Sequence, residues 1–274
     1  MAGTGVAPAE LASAPAATRR RGAAALAHAD RYCRAELQVV DGSGAVSLIE
    51  IPLEDGDTVS GLLDHAGEAF AIYVFAHGAG AGMRHPFMQA VAAGLAARGV
   101  SVLRYQFPFL EAGSRRPDRP EIAHVAVRAA VAQAAALAYG LPIFAGGKSF
   151  GGRMTSQAQA RAPLPSVRGL VFLGYPLHPA GKPSTDRARH LDAVGIPMLF
   201  LQGTRDALAD VVLLRDVTDR LPRASLSLVP EADHAFHVPA KTGRSDEDVL
   251  DNLCEVMARW MGDIVEAKVV RRAG

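Results

Sequence analysis

The residues Gly147-Lys148-Ser149-Phe150-Gly151 set a serine between two glycines, each two positions away. A serine hydroxyl is a weak nucleophile at neutral pH. It becomes effective when a histidine takes its proton and a carboxylate fixes that histidine's tautomer. The chain supplies both downstream, in the order serine, acid, histidine: Asp206 in "LFLQGTRDALAD" and His234 in "LVPEADHAFH". Together they suit acyl transfer through a covalent intermediate. Asp210 is the spare acid, but the pattern puts it inside the next helix. His237 is the runner-up base. Asp233 adjoins His234 in sequence, and neighbouring side chains diverge, so it does not orient that ring.

The same stretch has a second parse. Gly147-Lys148-Ser149 ends a phosphate-binding loop if a glycine stands five positions earlier. That position is Pro142, which has no N–H to offer a phosphate. The segment "LPIFA" also reads as strand where such a loop belongs. The nucleophile parse needs a strand before the serine and a helix after it, and the sequence gives both. An ordinary glycine-rich strand-to-helix turn is the plain alternative. It leaves Asp206 and His234 unaccounted for.

Acyl transfer also needs N–H donors for a developing oxyanion. One is expected from Phe150, the residue after the nucleophile. The other is expected from the loop "HGAGAG" after the first buried strand, at Ala79 with Gly78 next. His77 is read as a buttress of that loop. Phe107, Tyr175, Phe236 and Lys148 are expected to line the substrate site, with Phe109 a further aromatic nearby. Lys148, Arg84, Arg115, Arg116, Arg119 and Arg205 lie near the expected mouth in sequence. Acids at Glu111, Asp118 and Glu121 are interspersed with them, so a solvated charged surface is the simpler reading.

These residues need a scaffold, and the chain spells one. "ELQVV", "AVSLIEIPL" and "TVSGLLDH" read as hairpin strands with turns at Asp41-Gly42 and Asp55-Gly56. A continuous apolar strand over 70–76 follows, then a helix opened by His85-Pro86 and closed near Gly99. Strands and helices alternate from there: "VSVLRYQF", a helix over 120–138, "LPIFAG", a helix after Ser149, "VRGLVFLGYP", "IPMLFLQG", a helix near 209–221 and "ASLSLVPEADH". A last helix over 245–265 carries one apolar face, with Ser245 as N-cap. Apolar strands between helices mean a mostly parallel sheet covered on both faces, with the hairpins as its antiparallel edge. The loops at 106–120 and 175–190 are modest, so no large lid is expected.

The 274 residues carry a formal net charge of +1 and are 49% hydrophobic. That balance gives no general argument for a nucleic acid or membrane partner, and no apolar run reaches the roughly 18 residues that span a bilayer. Cys33 and Cys254 are too few for a disulfide framework, which fits a reducing, cytoplasmic setting. Residues 1–34, rich in alanine and holding Arg19-Arg20-Arg21, read as a disordered tail; a transit peptide is the alternative that the composition allows. The expected domain is 35–266, with 267–274 a second tail. The sequence leaves the oligomeric state open.

At this point the chain resembles the α/β-hydrolase superfamily over most of residues 36–265, and within it the dienelactone-hydrolase-like branch. It is further similar to the hydrolase-like domain shared by a testis-expressed protein and a histone-acetyltransferase-complex subunit. "FAHGAGAGMRHPFM", "VLRYQFPFLEAGSRRPDRP", "GGKSFGGRMTS" and "EADHAFH" carry the likeness. The resemblance implies an α/β-hydrolase fold, a triad at Ser149, Asp206 and His234, a small-molecule acyl substrate, no metal and no cofactor. Dienelactone hydrolases use a cysteine where this chain has Ser149, so their substrate does not carry over. A silent hydrolase-like scaffold is the reading from another class, though it needs none of the three side chains.

Overall fold

The computed structural model describes, apart from Met1, residues 36–39 and 45–273, with side chains over 45–267. The rest of segment 1–34, with Cys33 and His28, and the expected turn at Asp41-Gly42 lie outside the described residues. The strands are β1 (Glu36–Val39), β2 (Ala45–Pro52), β3 (Thr58–Asp64), β4 (Ala71–Ala76), β5 (Val100–Tyr105), β6 (Ile143–Lys148), β7 (Val167–Leu173), β8 (Met198–Gly203) and β9 (Ala224–Val229). They form one sheet in the order β1-β2-β3-β5-β4-β6-β7-β8-β9. Strands β1 to β3 pair antiparallel, as does β3 with β5, and every pair from β5 across to β9 is parallel. This is the α/β-hydrolase fold with an antiparallel edge.

The main helices are α1 (Pro86–Ala96), α2 (Pro120–Leu137), α3 (Phe150–Arg161), α4 (Val211–Arg220) and α5 (Asp246–Ala273), with one further helical turn at Pro108–Glu111. They divide between the two faces. Along β4, Ile72, Val74 and Ala76 face the core shared with α2, α3 and α4. Ala71, Tyr73 and Phe75 face the core shared with α1 and α5. A strand with both faces covered must be apolar at every position, and all six residues of β4 are buried.

Helix ends follow their local chemistry. His85 caps α1, its Nδ1 accepting the Phe87 N–H, with Pro86 in the first turn. Ser245 and Asp248 cap α5 reciprocally: Ser245 Oγ accepts the Asp248 N–H at 3.0 Å, and Asp248 Oδ2 accepts the Ser245 N–H at 2.8 Å. Helix α5 runs to Ala273, through residues expected as a tail, because nothing after Ile264 is a helix breaker until the final glycine. No helix among the described residues is long and apolar enough to cross a membrane.

Between β7 and β8 the chain makes only a 3₁₀ run, Asp186–Ala193, so no helical cap is inserted over the carboxyl edge there. Where β5 leaves the sheet, Arg104 clamps the loop after β4. Its guanidinium donates twice to the Asp64 carboxylate at 2.8 Å and once to the Met83 carbonyl. Arg104 is buried, and breaking such a pair leaves an uncompensated charge in the core.

Candidate active site

Ser149 stands between β6 and α3 with φ 51° and ψ −114°, a region that side chains rarely adopt. Close packing fixes that turn. A Cβ on Gly147 would lie 2.4 Å from the Ala76 carbonyl oxygen, and one on Gly151 2.5 Å from the same atom and 2.6 Å from the His77 oxygen. Only glycine fits at either place, so the neighbouring backbones can pinch the strand-to-helix turn. The hydroxyl then projects above the carboxyl edge of the sheet.

His234 Nε2 lies 2.9 Å from Ser149 Oγ, and His234 Nδ1 lies 2.6 Å from Asp206 Oδ2. An ionised carboxylate only accepts, so Nδ1 carries the proton and Nε2 is free to accept from the serine hydroxyl. The Asp206 side chain is inaccessible while the His234 ring is 29% exposed, which buries the acid and opens the base toward a ligand. Asp206 also accepts from Gln202 Nε2 at 2.5 Å and from the Leu208 N–H at 2.8 Å. Those donors hold the carboxylate in one orientation. Sequence reasoning missed Gln202; its signal was a lone polar side chain at the end of an otherwise apolar strand.

The alternatives fall to other duties. Asp210 is the N-cap of α4, accepting from the Val212 and Leu213 N–H groups. His237 is exposed and pairs with Asp246 at 2.8 Å. Asp233 accepts the Ala235 and His237 N–H groups and so shapes the loop that presents His234. Gly203 lets that loop cross the end of β8, since a Cβ there would lie 2.3 Å from the Ala232 oxygen. A second serine–histidine pair, Ser156 with His190 at 2.7 Å, joins α3 to the 3₁₀ run, with Ser156 fully buried. No carboxylate bonds that ring among the described residues, and it offers no accessible nucleophile.

The loop expected to hold an oxyanion abuts the serine: a Cβ on Gly78 would lie 3.8 Å from Ser149 Cβ. His77 is buried, and burial pushes its pKa down to about 4, so the ring is neutral. Its Nδ1–H donates to the Gly78 oxygen at 2.7 Å, and its Nε2 accepts the Phe107 N–H at 3.0 Å. In a trans peptide the C=O and the next N–H point in opposite directions. Tying back the Gly78 carbonyl therefore turns the Ala79 N–H away from His77. Phe150 opens α3, where the first N–H groups have no partner within the helix.

The expected substrate contacts need correction. Phe107 and Tyr175 are core residues, 0% and 1% exposed. Phe107 packs edge-on to His77 and Phe150, and Tyr175 donates to the Arg187 carbonyl. Phe236 is also buried, stacked on Phe87 with ring centroids 5.9 Å apart. Large aromatics near a site in sequence were drawn into the core because their area is worth more there. Lys148 turns its ammonium onto the His234 main-chain oxygen rather than outward. Arg84, Arg115, Arg116, Arg119 and Arg205 are all exposed. Arg116 and Arg119 border a groove of about 870 Å³ that Asp55, Asp57 and Asp118 also line, so its charge is mixed.

A family model described as an alpha/beta hydrolase domain matches residues 69–262. A dienelactone hydrolase from Anabaena variabilis superposes with a TM-score of 0.66 at 20% identity, covering 81% of this chain and 99% of that one. A lidless serine hydrolase from Xanthomonas campestris gives 0.62 at 18% identity, covering 81% and 98%. An esterase domain from Rhodothermus marinus gives 0.60 at 17% identity, covering 78% and 97%. At these identities the solved structures support the shared fold.

Proposed function

The chain belongs to the alpha/beta hydrolase family, and on that basis we propose that it is a serine hydrolase of a carboxylic ester or thioester. The observation that carries this reading is the continuous hydrogen-bonded relay from Ser149 Oγ through the His234 ring to Asp206. His234 Nε2 takes the hydroxyl proton as Ser149 Oγ attacks the carbonyl carbon. Asp206 keeps the proton on Nδ1 and stabilises the imidazolium that forms. The Phe150 and Ala79 N–H groups hold the oxyanion. His234 returns the proton to the leaving alcohol or thiol, leaving an acyl group on Ser149. Water, activated by the same ring, then attacks the acyl carbon and releases the acid.

The esterase and lidless hydrolase neighbours support the chemistry by analogy of fold. The exposed edge of the His234 ring and the lack of a helical insertion between β7 and β8 support a small, accessible acyl substrate. The narrower likeness to the testis-expressed and acetyltransferase-complex domains rests on the four sequence blocks. A fluorophosphonate probe and a series of p-nitrophenyl esters and acyl thioesters test the proposal. The wild type should label and turn over at least one of them, and S149A should do neither while its melting temperature is retained. Equal turnover by S149A would overturn the proposal, and a folded wild type that never labels would favour a scaffold.

A further inference from the structure

Lys148 belongs to the turn that holds the nucleophile, yet its side chain serves the loop opposite. Its Nζ donates to the main-chain oxygen of His234, 86 residues away. The ammonium lies 5.9 Å from the Phe87 ring centroid and 5.3 Å from that of Phe236, within cation–π range of two rings that stack almost parallel. Gly174 closes the other side. A Cβ there would come within 2.8 Å of Lys148 Nζ and 3.4 Å of His234 Nδ1, and its φ of +64° suits glycine. A buried cation needs a role to match its desolvation, and among the described residues Lys148 forms no ion pair. Asp206 faces it from the loop after β8 but is bonded to the imidazole, and Asp233 faces it from the histidine loop. The element carrying Gly174 and helix α1, through Phe87, face it with uncharged groups.

We propose that Lys148 is a positioning residue for the reaction: its ammonium clamps the carbonyl of His234, holding the imidazole between Ser149 and Asp206, and the clamp loosens when the amine loses its proton. The inference rests on the serine-hydrolase reading above. Burial lowers the Lys148 pKa to about 8, against which Asp206 and Asp233 pull it upward. An ordinary lysine holds its proton to about pH 10.4. A relay of serine, histidine and aspartate alone gives a rate that rises as the ring becomes neutral and then stays level. With Lys148 as clamp, the rate falls again above about pH 8.

The test is the pH profile, from 6 to 10, of fluorophosphonate labelling and of kcat and KM for p-nitrophenyl acetate. Wild type should show the alkaline fall. K148M should lose roughly tenfold in kcat, as expected for one charge-assisted hydrogen bond, with KM unchanged, no alkaline fall and no drop in melting temperature. K148R, charged across the range, should recover part of the rate and move the fall upward. K148M with wild-type kcat and an unaltered alkaline fall overturns the inference, as does a change confined to KM, which would mark a substrate contact. If K148M does not fold, the wild-type profile decides, and a level rate to pH 10 overturns the clamp. Labelling that persists in S149A refutes the serine reading itself, and with it the clamp. A failure at Lys148 alone leaves Ser149 labelling intact.

Discussion

Ser149 and His234 meet at 2.9 Å, but the chain holds them by different means. On the serine side the backbone does the work. Gly147 and Gly151 let β6, α3 and the end of β4 approach so closely that the turn has one conformation, and the strain at Ser149, of order 1–3 kcal/mol, is held by that packing. On the histidine side, side chains do it. Asp206 is gripped by Gln202 and the Leu208 N–H, Asp233 shapes the loop, and Lys148 reaches across to it. A steric lock fails all at once when a methyl group is added. A hydrogen-bonded network yields in steps, one bond at a time, and can respond to pH.

Substitutions on the two sides should therefore differ in kind. The largest expected effect is on the network at its centre. D206N leaves the shape but cannot hold the proton on His234 Nδ1, so kcat should fall by about 10³–10⁴, with labelling slowed in parallel and the elbow untouched. D210N is its control. That conservative change keeps an N-cap acceptor on α4, so urea unfolding should change little; D210A, which removes the cap, should cost about 1 kcal/mol, and both should leave the labelling rate near wild type.

Next comes the lock. G151A drives a methyl group into the Ala76 and His77 carbonyl oxygens. It should cost about 3 kcal/mol in urea unfolding and slow labelling by about 10² in whatever remains folded, as for a nucleophile displaced by about an ångström. Normal stability with normal labelling in G151A would show that the elbow is not sterically determined and that the serine side is held no differently from the histidine side. A smaller effect is expected from Q202L, which removes one donor from Asp206. A charge-assisted bond of about 1.5 kcal/mol corresponds to roughly tenfold in kcat, with the hydroxyl still reactive. Urea unfolding should change little, because Q202L also removes Gln202 Oε1, which is buried with no partner among the described residues.

The same contrast explains what the sequence made legible. Backbone devices leave fixed marks: the glycines around Ser149, the glycine run after β4 and the apolar strands announced the tight turn, the loop beside Ser149 and the sheet. Ser149, Asp206 and His234 were readable because topology places a residue after each strand at one edge. Side-chain networks leave no spacing rule. Gln202 looked like the end of a strand, and Lys148 looked like a charge at the mouth, since nothing local says which way a long side chain turns. Phe107, Tyr175 and Phe236 misled for the same reason: a large aromatic near a site serves the core as readily as the cleft, and burial decides between them.

The smallest expected effect lies at the outer end of the network, where His237 meets Asp246 on the first turn of α5. Hydrogen bonding to Asp246 raises the His237 pKa above 6.5, and bonding to His237 lowers that of Asp246 below 3.8. A raised histidine contributes stability below its unfolded pKa and loses it as pH rises through the folded value. A lowered aspartate contributes above its unfolded pKa and loses it as pH falls through the folded value. The pair therefore acts between about pH 4 and 6.5. H237A should melt slightly below wild type at pH 5.5 and level with it at pH 8.5, and the gap at pH 5.5 should shrink in 1 M salt because both groups are exposed. Fluorophosphonate labelling should not change at either pH. A loss of labelling in H237A would mean that the base is held from the α5 side as well, and the boundary between the network and the rest of the loop would have to be redrawn through Asp246.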